Sequence, residues 1–152
     1  MANSIQTPAT TTAARTILRV VIGFLFAAHG WQKYVQFTLE GTVAAFGQMG
    51  VPLASVVAPA MATLELVGGI ALVLGVFTRV FAGVLALGMI GAAVLVHAPA
   101  GVFDEAGGFE LVGALGAGAL AIALVGPGRL SVDRTIAELR ASKIVERAAV
   151  EV

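Results

Sequence analysis

Four long apolar segments limit what this chain can fold into more than any other feature of its sequence. They cover about residues 16–35, 59–77, 80–97 and 110–125. An α-helix needs roughly 17 to 25 mostly apolar residues to cross a bilayer, and the four segments approach or reach that length. Charged residues make up only 12% of the chain, about half the share found in ordinary globular domains. The sequence therefore predicts an all-α fold, a four-helix transmembrane bundle.

The stretches outside these spans are predicted to lie at the membrane surface or in the cytoplasm. Residues 1–14 are polar and are expected to form a mobile cytoplasmic N-terminus, followed by a membrane domain over residues 15–128. Apolar residues from Leu39 to Phe46 recur at helical spacing, which predicts a short interfacial helix between the first two spans. After a Gly-Pro-Gly break, residues 129–152 are predicted to form a cytoplasmic tail with an amphipathic helix.

Two helix starts are less clearly defined by the sequence. The second span could begin at Pro52, with a kink at Pro59, or near Ala58, with Pro59 in the tolerant first turn, and both starts stay open. In the tail, Ser131 and Asp133 are candidate caps for the helix that follows them.

Positive charge is distributed unevenly over the predicted loops. With four crossings, both termini and the turn at Arg79 share one side, and only Lys33 among the basic residues lies on the other. Because basic residues favour the cytoplasmic side, both termini are predicted to be cytoplasmic. The formal net charge is zero, so we expect no nucleic-acid partner.

Five ionisable side chains lie within the apolar segments or at their outer rim, and they form the candidate site. They are His29, Lys33, Glu65, His97 and Glu110. Ionisable groups are costly in hydrocarbon, so they commonly mark a functional site or a pair of partners.

Helix geometry places two of these side chains at one depth. Lys33 lies fourteen residues after Arg19, and Glu65 lies fourteen residues before Arg79, so each is roughly 21 Å from the cytoplasmic boundary. We therefore predict a buried Lys33–Glu65 ion pair, with His29 one turn below Lys33 on the same helical face. Such a pair could belong to a binding site or could only set the register of the helices, and both interpretations stay open.

His97 and Glu110 are predicted to share a second level nearer the outer surface, at roughly 27 to 28 Å from that boundary. For Glu110 an alternative is purely structural, because an acidic residue at a helix start is favoured by the helix dipole. Two histidines could also bind a b-type haem, but the levels of His29 and His97 differ by roughly 12 Å, which disfavours a shared ring. A quinone head group is the cofactor that fits more easily.

Other chemistries find little support in the sequence. The chain has no cysteine, so cysteine-ligated iron–sulfur clusters and disulfides are excluded. It shows no metal-ligand spacing, and we expect no metal site; it also shows no nucleotide loop or nucleophilic triad, and so no self-contained catalytic signature. Small residues at four-residue spacing, such as Gly23 and Ala27, are typical of close helix packing, either within the chain or in a homo-oligomer.

A set of motifs in matching order resembles the DoxX family over about residues 15 to 135. The motifs are His29-Gly30-Trp31-Gln32-Lys33, Gly50-Val51-Pro52, Glu65-Leu66-Val67-Gly68-Gly69, Gly75-Val76-Phe77-Thr78-Arg79 and Gly126-Pro127-Gly128-Arg129-Leu130-Ser131-Val132-Asp133. Each motif alone is weak, but the ordered set is specific.

The resemblance implies a four-span protein of the bacterial inner (cytoplasmic) membrane, in contact with the lipid bilayer. It also implies a link to membrane redox or oxidative-stress assemblies. We therefore predict an accessory or anchoring subunit with a membrane or cytoplasmic oxidoreductase as partner. The alternative is a quinone-reactive or proton-handling protein whose polar site opens to the outer side. A solute carrier is weaker, because four spans without an evident inverted repeat offer little machinery for alternating access.

Overall fold

The computed structural model describes residues 9–150, without the side chains of Val145 and of residues 147–150, and within them the chain forms six α-helices. The helices are α1 (Ala9–Val35), α2 (Leu39–Gln48), α3 (Ala54–Leu74), α4 (Thr78–Ala92), α5 (Glu110–Val125) and α6 (Val132–Val150). A π-helical turn (Ala93–His97) and a 3-10 turn (Ala98–Ala100) extend α4, and another 3-10 turn (Asp104–Ala106) precedes α5. The predicted all-helical bundle is confirmed.

Three of these stretches are long and apolar enough to cross a membrane. They are Ala9–Val35, Ala54–Leu74 and Thr78–Ala100. Helix α5 is also apolar but has 16 residues, so it measures about 24 Å against a hydrocarbon core of about 30 Å. The architecture is that of a membrane protein, whereas a crossing by α5 stays a prediction.

Helices α1 and α3 pack antiparallel with their backbones in close contact. A Cβ atom added at Gly30 would overlap the backbone of Leu66, and one added at Gly69 would overlap the backbone of Ala27. At Gly23, an added Cβ would lie 2.8 Å from the carbonyl oxygen of Gly69. Because lipid is as apolar as the side chains, such close packing is what holds membrane helices together. The small residues Gly23 and Ala27 thus pack within the chain.

Helices α4 and α5 form a second antiparallel pair. Gly116 lies against Met89 near the middle of the pair, and Gly126 lies against the guanidinium group of Arg79 at its end. The two helix pairs meet around a buried apolar core, whose largest fully buried apolar side chains are Phe26, Leu72, Leu85 and Ile122.

The first helix begins earlier than the hydropathy pattern predicts. Residues 9–14, expected in a separate terminal segment, continue α1, because residues 9–22 contain no glycine or proline to stop the helix. The Thr16 hydroxyl donates to the carbonyl of Thr12 at 2.9 Å within this added stretch. The remainder of the predicted mobile N-terminus, residues 1–8, lies outside the described residues.

The third helix starts between the two positions that the sequence leaves open. It begins at Ala54, after Leu53 in the left-handed conformation, and carries Pro59 inside. Proline removes one backbone donor from the helix. One turn later, the Thr63 hydroxyl donates a hydrogen bond to the carbonyl of Pro59 at 2.8 Å, so this hydroxyl has a partner within α3.

The tail helix α6 follows α5 after the break at residues 126–131, and most of its described side chains are exposed. Ile136 and Leu139, which define its predicted apolar face, are 41% and 58% exposed. Contact of that face with the membrane surface stays a prediction.

Candidate functional site

Lys33 on α1 and Glu65 on α3 form an ion pair inside the bundle. The Lys33 ammonium group donates to Oε2 of Glu65, and the exposed fractions of the two side chains are 17% and 6%. The pair follows from the antiparallel packing of α1 on α3, since the contact of Gly30 with Leu66 brings the two side chains to one level. The depth count predicts this contact; its functional role stays a prediction.

A cavity of about 200 Å³ adjoins this ion pair, and we call it the polar cavity. His29, Lys33, Glu65 and His97 contribute to its wall, so four of the five candidate residues meet there. Asp104 from the outer loop also lines it, and apolar side chains of α1, α4 and α5 complete the wall. The polar cavity thus offers hydrogen-bond donors and acceptors to a small group held between the helices.

A second cavity of about 350 Å³ adjoins the same ion pair, and we call it the apolar cavity. Its wall is mostly apolar and comes from α2, α3, α4 and the π-helical turn. Lys33, Glu65 and His97 line this cavity as well as the polar one. The charged groups therefore stand where two cavities of different chemical character meet.

The side chain of Thr42 connects helix α2 to α1 beside the two cavities. The Thr42 hydroxyl lies 2.8 Å from the carbonyl oxygen of Thr38 and 3.0 Å from that of Lys33, and Thr42 is buried. This contact ties α2 to the end of α1 and brings Phe46 and Met49 to the wall of the apolar cavity. The sequence pattern located α2 but did not single out Thr42, since a threonine in a polar connection carries no distinctive signal.

The two outer candidate residues both hold the loop before α5. His97 Nδ1 lies 2.8 Å from the carbonyl oxygen of Gly107, and a Glu110 carboxylate oxygen accepts from the backbone amide of Asp104 at 3.0 Å. Glu110 is exposed and is not among the described residues that line either cavity. The structure thus brings His97 to the site, whereas the observed contact of Glu110 is with the loop.

The contacts of a second polar cluster, at the opposite end of the bundle, were not predicted from the sequence, although Asp133 was a candidate cap. Asp133 accepts from the backbone amides of Phe77 and Thr78 at 2.8 and 2.9 Å, so it caps α4 across the fold rather than its own helix. Arg19 is 3% exposed and donates through Nη2 to the carbonyl of Leu130 at 2.6 Å. These partners are far apart in sequence, and only the motif around Asp133 hinted at their importance.

The polar cavity has limited room for a complete cofactor. Across residues 9–150, no three histidine, aspartate or glutamate side chains come together in a way that could hold a metal ion. Pockets for drug-sized ligands are typically about 300 to 1,000 Å³, so the polar cavity of about 200 Å³ suits a head group.

Two relatives match most of this chain. The inner membrane protein YphA of Escherichia coli (strain K12) is 29% identical over 131 residues, which cover 80% of this chain and 92% of YphA. The membrane protein Rv3486 of Mycobacterium tuberculosis (strain ATCC 25618 / H37Rv) is 30% identical over 131 residues, or 80% of each chain. No solved structure matches this chain significantly.

A third relative matches a shorter region. CatD of Bacillus subtilis (strain 168), whose name provisionally classes it as an oxidoreductase, is 39% identical over 80 residues. This match covers 53% of the present chain and a little over half, 57%, of CatD. The family model described as DoxX matches residues 14–98, which is more than half of the chain and includes four of the five candidate site residues. With its apolar helical bundle, the chain thus belongs to the DoxX family of membrane proteins.

Proposed function

We propose that this protein binds a lipid-soluble molecule with a quinone-type head group at the Lys33–Glu65 ion pair. The observation that carries the proposal is that the pair and both histidines line one cavity within an otherwise apolar bundle. A quinone carbonyl accepts hydrogen bonds, and a hydroquinone hydroxyl donates them. Lys33 supplies donors, Glu65 supplies an acceptor, and each neutral imidazole offers one of each.

We further propose that binding serves a redox assembly in which this chain is an accessory subunit. Oxidation of a hydroquinone to a quinone releases two electrons and two protons. Glu65 and the imidazoles can accept protons, whereas the electrons need an acceptor. The chain has no cysteine to hold an iron–sulfur cluster, so the proposed acceptor belongs to a membrane or cytoplasmic oxidoreductase partner. The name of CatD supports this link to oxidoreductases.

The proposed arrangement in the membrane has four crossings and cytoplasmic termini. Eight of the nine basic residues then lie at the cytoplasmic side, as charge asymmetry favours. The contact of Gly126 with Arg79 supports a fourth crossing, because α5 returns to the end of the bundle at which α4 begins. The polar cavity then opens toward the outer half of the bilayer.

The binding proposal is tested by quinone retention. Purified protein in lipid nanodiscs is incubated with decylubiquinone and separated by gel filtration, and the quinone retained per protein in excess of that in protein-free nanodiscs is quantified by chromatography. We expect Lys33→Met and Glu65→Gln each to weaken binding about tenfold or more, since a hydrogen bond to a charged group contributes about 1.5 to 3 kcal/mol. The matched control is Glu138→Gln, which removes only the exposed 2.7 Å pair with Arg134 on α6.

Three results would count against a head-group site at the ion pair. The first is no retention by the wild-type protein. The second is retention by Lys33→Met and Glu65→Gln that equals that of the wild type. The third is a loss in the Glu138→Gln control as large as the loss in those two variants. The accessory role has a separate test, in which the tagged chain is purified from native membranes in mild detergent. We expect an oxidoreductase at a fixed stoichiometric ratio, and purification of the chain alone would contradict that role.

A further inference from the structure

We infer that the apolar cavity binds the hydrocarbon tail of a ligand whose head group occupies the polar cavity, and that this ligand enters sideways from the bilayer. The inference rests on the proposed quinone-type site and adds to it the class of ligand. The ligand is an amphiphile with an apolar tail, as opposed to a small water-soluble molecule that arrives from the outer surface.

The volumes and shared walls support a ligand with two parts. The polar cavity, about 200 Å³, is below the range of about 300 to 1,000 Å³ that is typical of small-molecule pockets, and the apolar cavity, about 350 Å³, is within it. Lys33, Glu65 and His97 line both cavities. A head group that contacts these residues therefore has a continuation of its binding site on the apolar side.

The wall of the apolar cavity is suited to a flexible chain. Met49, Met61 and Met89 line it, and methionine side chains adapt to irregular apolar surfaces because they are unbranched and polarisable. Gly91 also lines it, and a Cβ atom added there would have no other atom within 4 Å. The helical backbone at Gly91 thus borders space that the protein itself does not fill.

The position of the opening indicates the route of entry. Met49 and Leu95 line the cavity and are also 51% and 59% exposed, so the cavity reaches the surface between α2 and the π-helical turn. Both rim side chains are apolar, as expected of a surface that faces acyl chains. Lipid-soluble molecules are concentrated among acyl chains, so entry from that side is direct. Leu95 belongs to the π-helical turn, and such turns are frequent at functional sites.

The test compares two glycine substitutions on the same helix. Gly91→Leu places a side chain in the apolar cavity, whereas Gly83→Leu adds the same side chain at a site that is equally free of neighbours and lines neither cavity. Retention of decylubiquinone, which has a tail, is compared with retention of 2,3-dimethoxy-5-methylbenzoquinone, which has none. We expect Gly91→Leu to weaken binding of the tailed probe by about tenfold and binding of the tailless probe by less than about twofold. Gly83→Leu should change neither.

The result that overturns the inference is an equal effect of Gly91→Leu and Gly83→Leu on the tailed probe. That outcome leaves the head-group proposal standing if Lys33→Met still loses binding, so the two failures are distinguishable. A second measurement uses only the wild-type protein and a quinone with a photoreactive diazirine at the end of its tail. Crosslinks to Met49, Met61 or Leu95 support the inference, whereas crosslinks confined to the exposed face of α5 overturn it.

Discussion

Lys33 and Glu65 carry their charges into an otherwise apolar bundle. At the centre of a bilayer an unpaired charge costs about 2.5 to 3.5 kcal/mol on insertion scales. Their contact removes most of that cost, although the desolvation of both groups leaves little net stabilisation from the pair. An ion pair of small net stability but high local polarity is unusual in a bundle that otherwise packs small and apolar side chains. A pair of small net stability is compatible both with a role in helix register and with the proposed binding site.

The coupling of these two side chains can be measured in a double-mutant cycle. We expect Lys33→Met and Glu65→Gln each to lower the free energy of unfolding by about 2 to 3 kcal/mol, since each leaves one buried group without its partner. The double variant should lose clearly less than the sum. The measurement is reversible unfolding in mixed micelles, and additive losses to within about 0.5 kcal/mol would show that the side chains do not interact.

At the scale of elements, the turn between α3 and α4 is held by groups from other parts of the chain. Helix α3 ends at Leu74, and Gly75 after it has a φ of 75°, a left-handed conformation favoured by glycine. Helix α4 follows after Phe77, which has no side-chain cap of its own, and Asp133 supplies the cap from the start of the tail. The buried Arg19 packs directly over Gly75. First helix, turn and tail are thereby joined in one cluster.

A comparison of two glycines distinguishes the free-energy cost of a left-handed backbone from the cost of crowding the cluster at Arg19. Gly75 and Gly50 have almost the same φ, 75° and 76°, but a Cβ added at Gly75 would overlap Arg19, whereas one added at Gly50 would meet nothing within 4 Å. We expect Gly50→Ala to cost about 1 to 2 kcal/mol for the left-handed backbone. Gly75→Ala should cost about 1 to 3 kcal/mol more, because the added Cβ would also overlap the Arg19 guanidinium and the Cβ of Ser131.

Thermal unfolding of the two alanine variants, monitored by circular dichroism, distinguishes these contributions. Equal shifts in Tm for Gly50→Ala and Gly75→Ala would mean that crowding by Arg19 and Ser131 at Gly75 adds nothing to the cost of the left-handed backbone.

At the scale of the whole molecule, the cluster around the buried Arg19 and the polar cavity lie toward opposite ends of the bundle axis. The cluster of Arg19, Gly75 and Asp133 marks one end, and the polar cavity with its outer loop lies toward the other. If the end of the bundle at Arg19 and Arg79 is cytoplasmic, the proposed ligand site is in the outer half of the membrane. A partner on the cytoplasmic side would then meet the tail, and a partner within the membrane could meet the site itself.

The absence of cysteine from the sequence makes this orientation directly measurable. Single cysteines are introduced at Ala106 in the outer loop and at Ser142 on α6, both of which are exposed. We expect a membrane-impermeant maleimide to label Ala106→Cys in intact spheroplasts and to label Ser142→Cys only after the membrane is opened. The reverse pattern would invert the topology, and labelling of both in intact spheroplasts would contradict four crossings.

Periodicity and depth are properties of a helix that can be counted along the chain. For that reason the helical bundle, α2 and the common level of Lys33 and Glu65 followed from the sequence, since each residue of a helix adds a nearly constant rise. The contact of Glu110 with the backbone amide of Asp104 could not be predicted from the sequence, because a loop has no such constant geometry. The helix that Asp133 caps did not follow either, because its partners lie 55 and 56 residues away.

Hydrophobicity and helical rise are local quantities, so the amino-acid sequence was enough to predict a helical membrane protein and to identify the charged groups on its apolar helices. That the ion pair borders two cavities, one of them mostly apolar, emerges only from the way the helices pack together. A cavity is the space that several elements together leave unfilled, so no single segment encodes it. The open space beside Gly91, between helices distant in sequence, is where that difference is clearest.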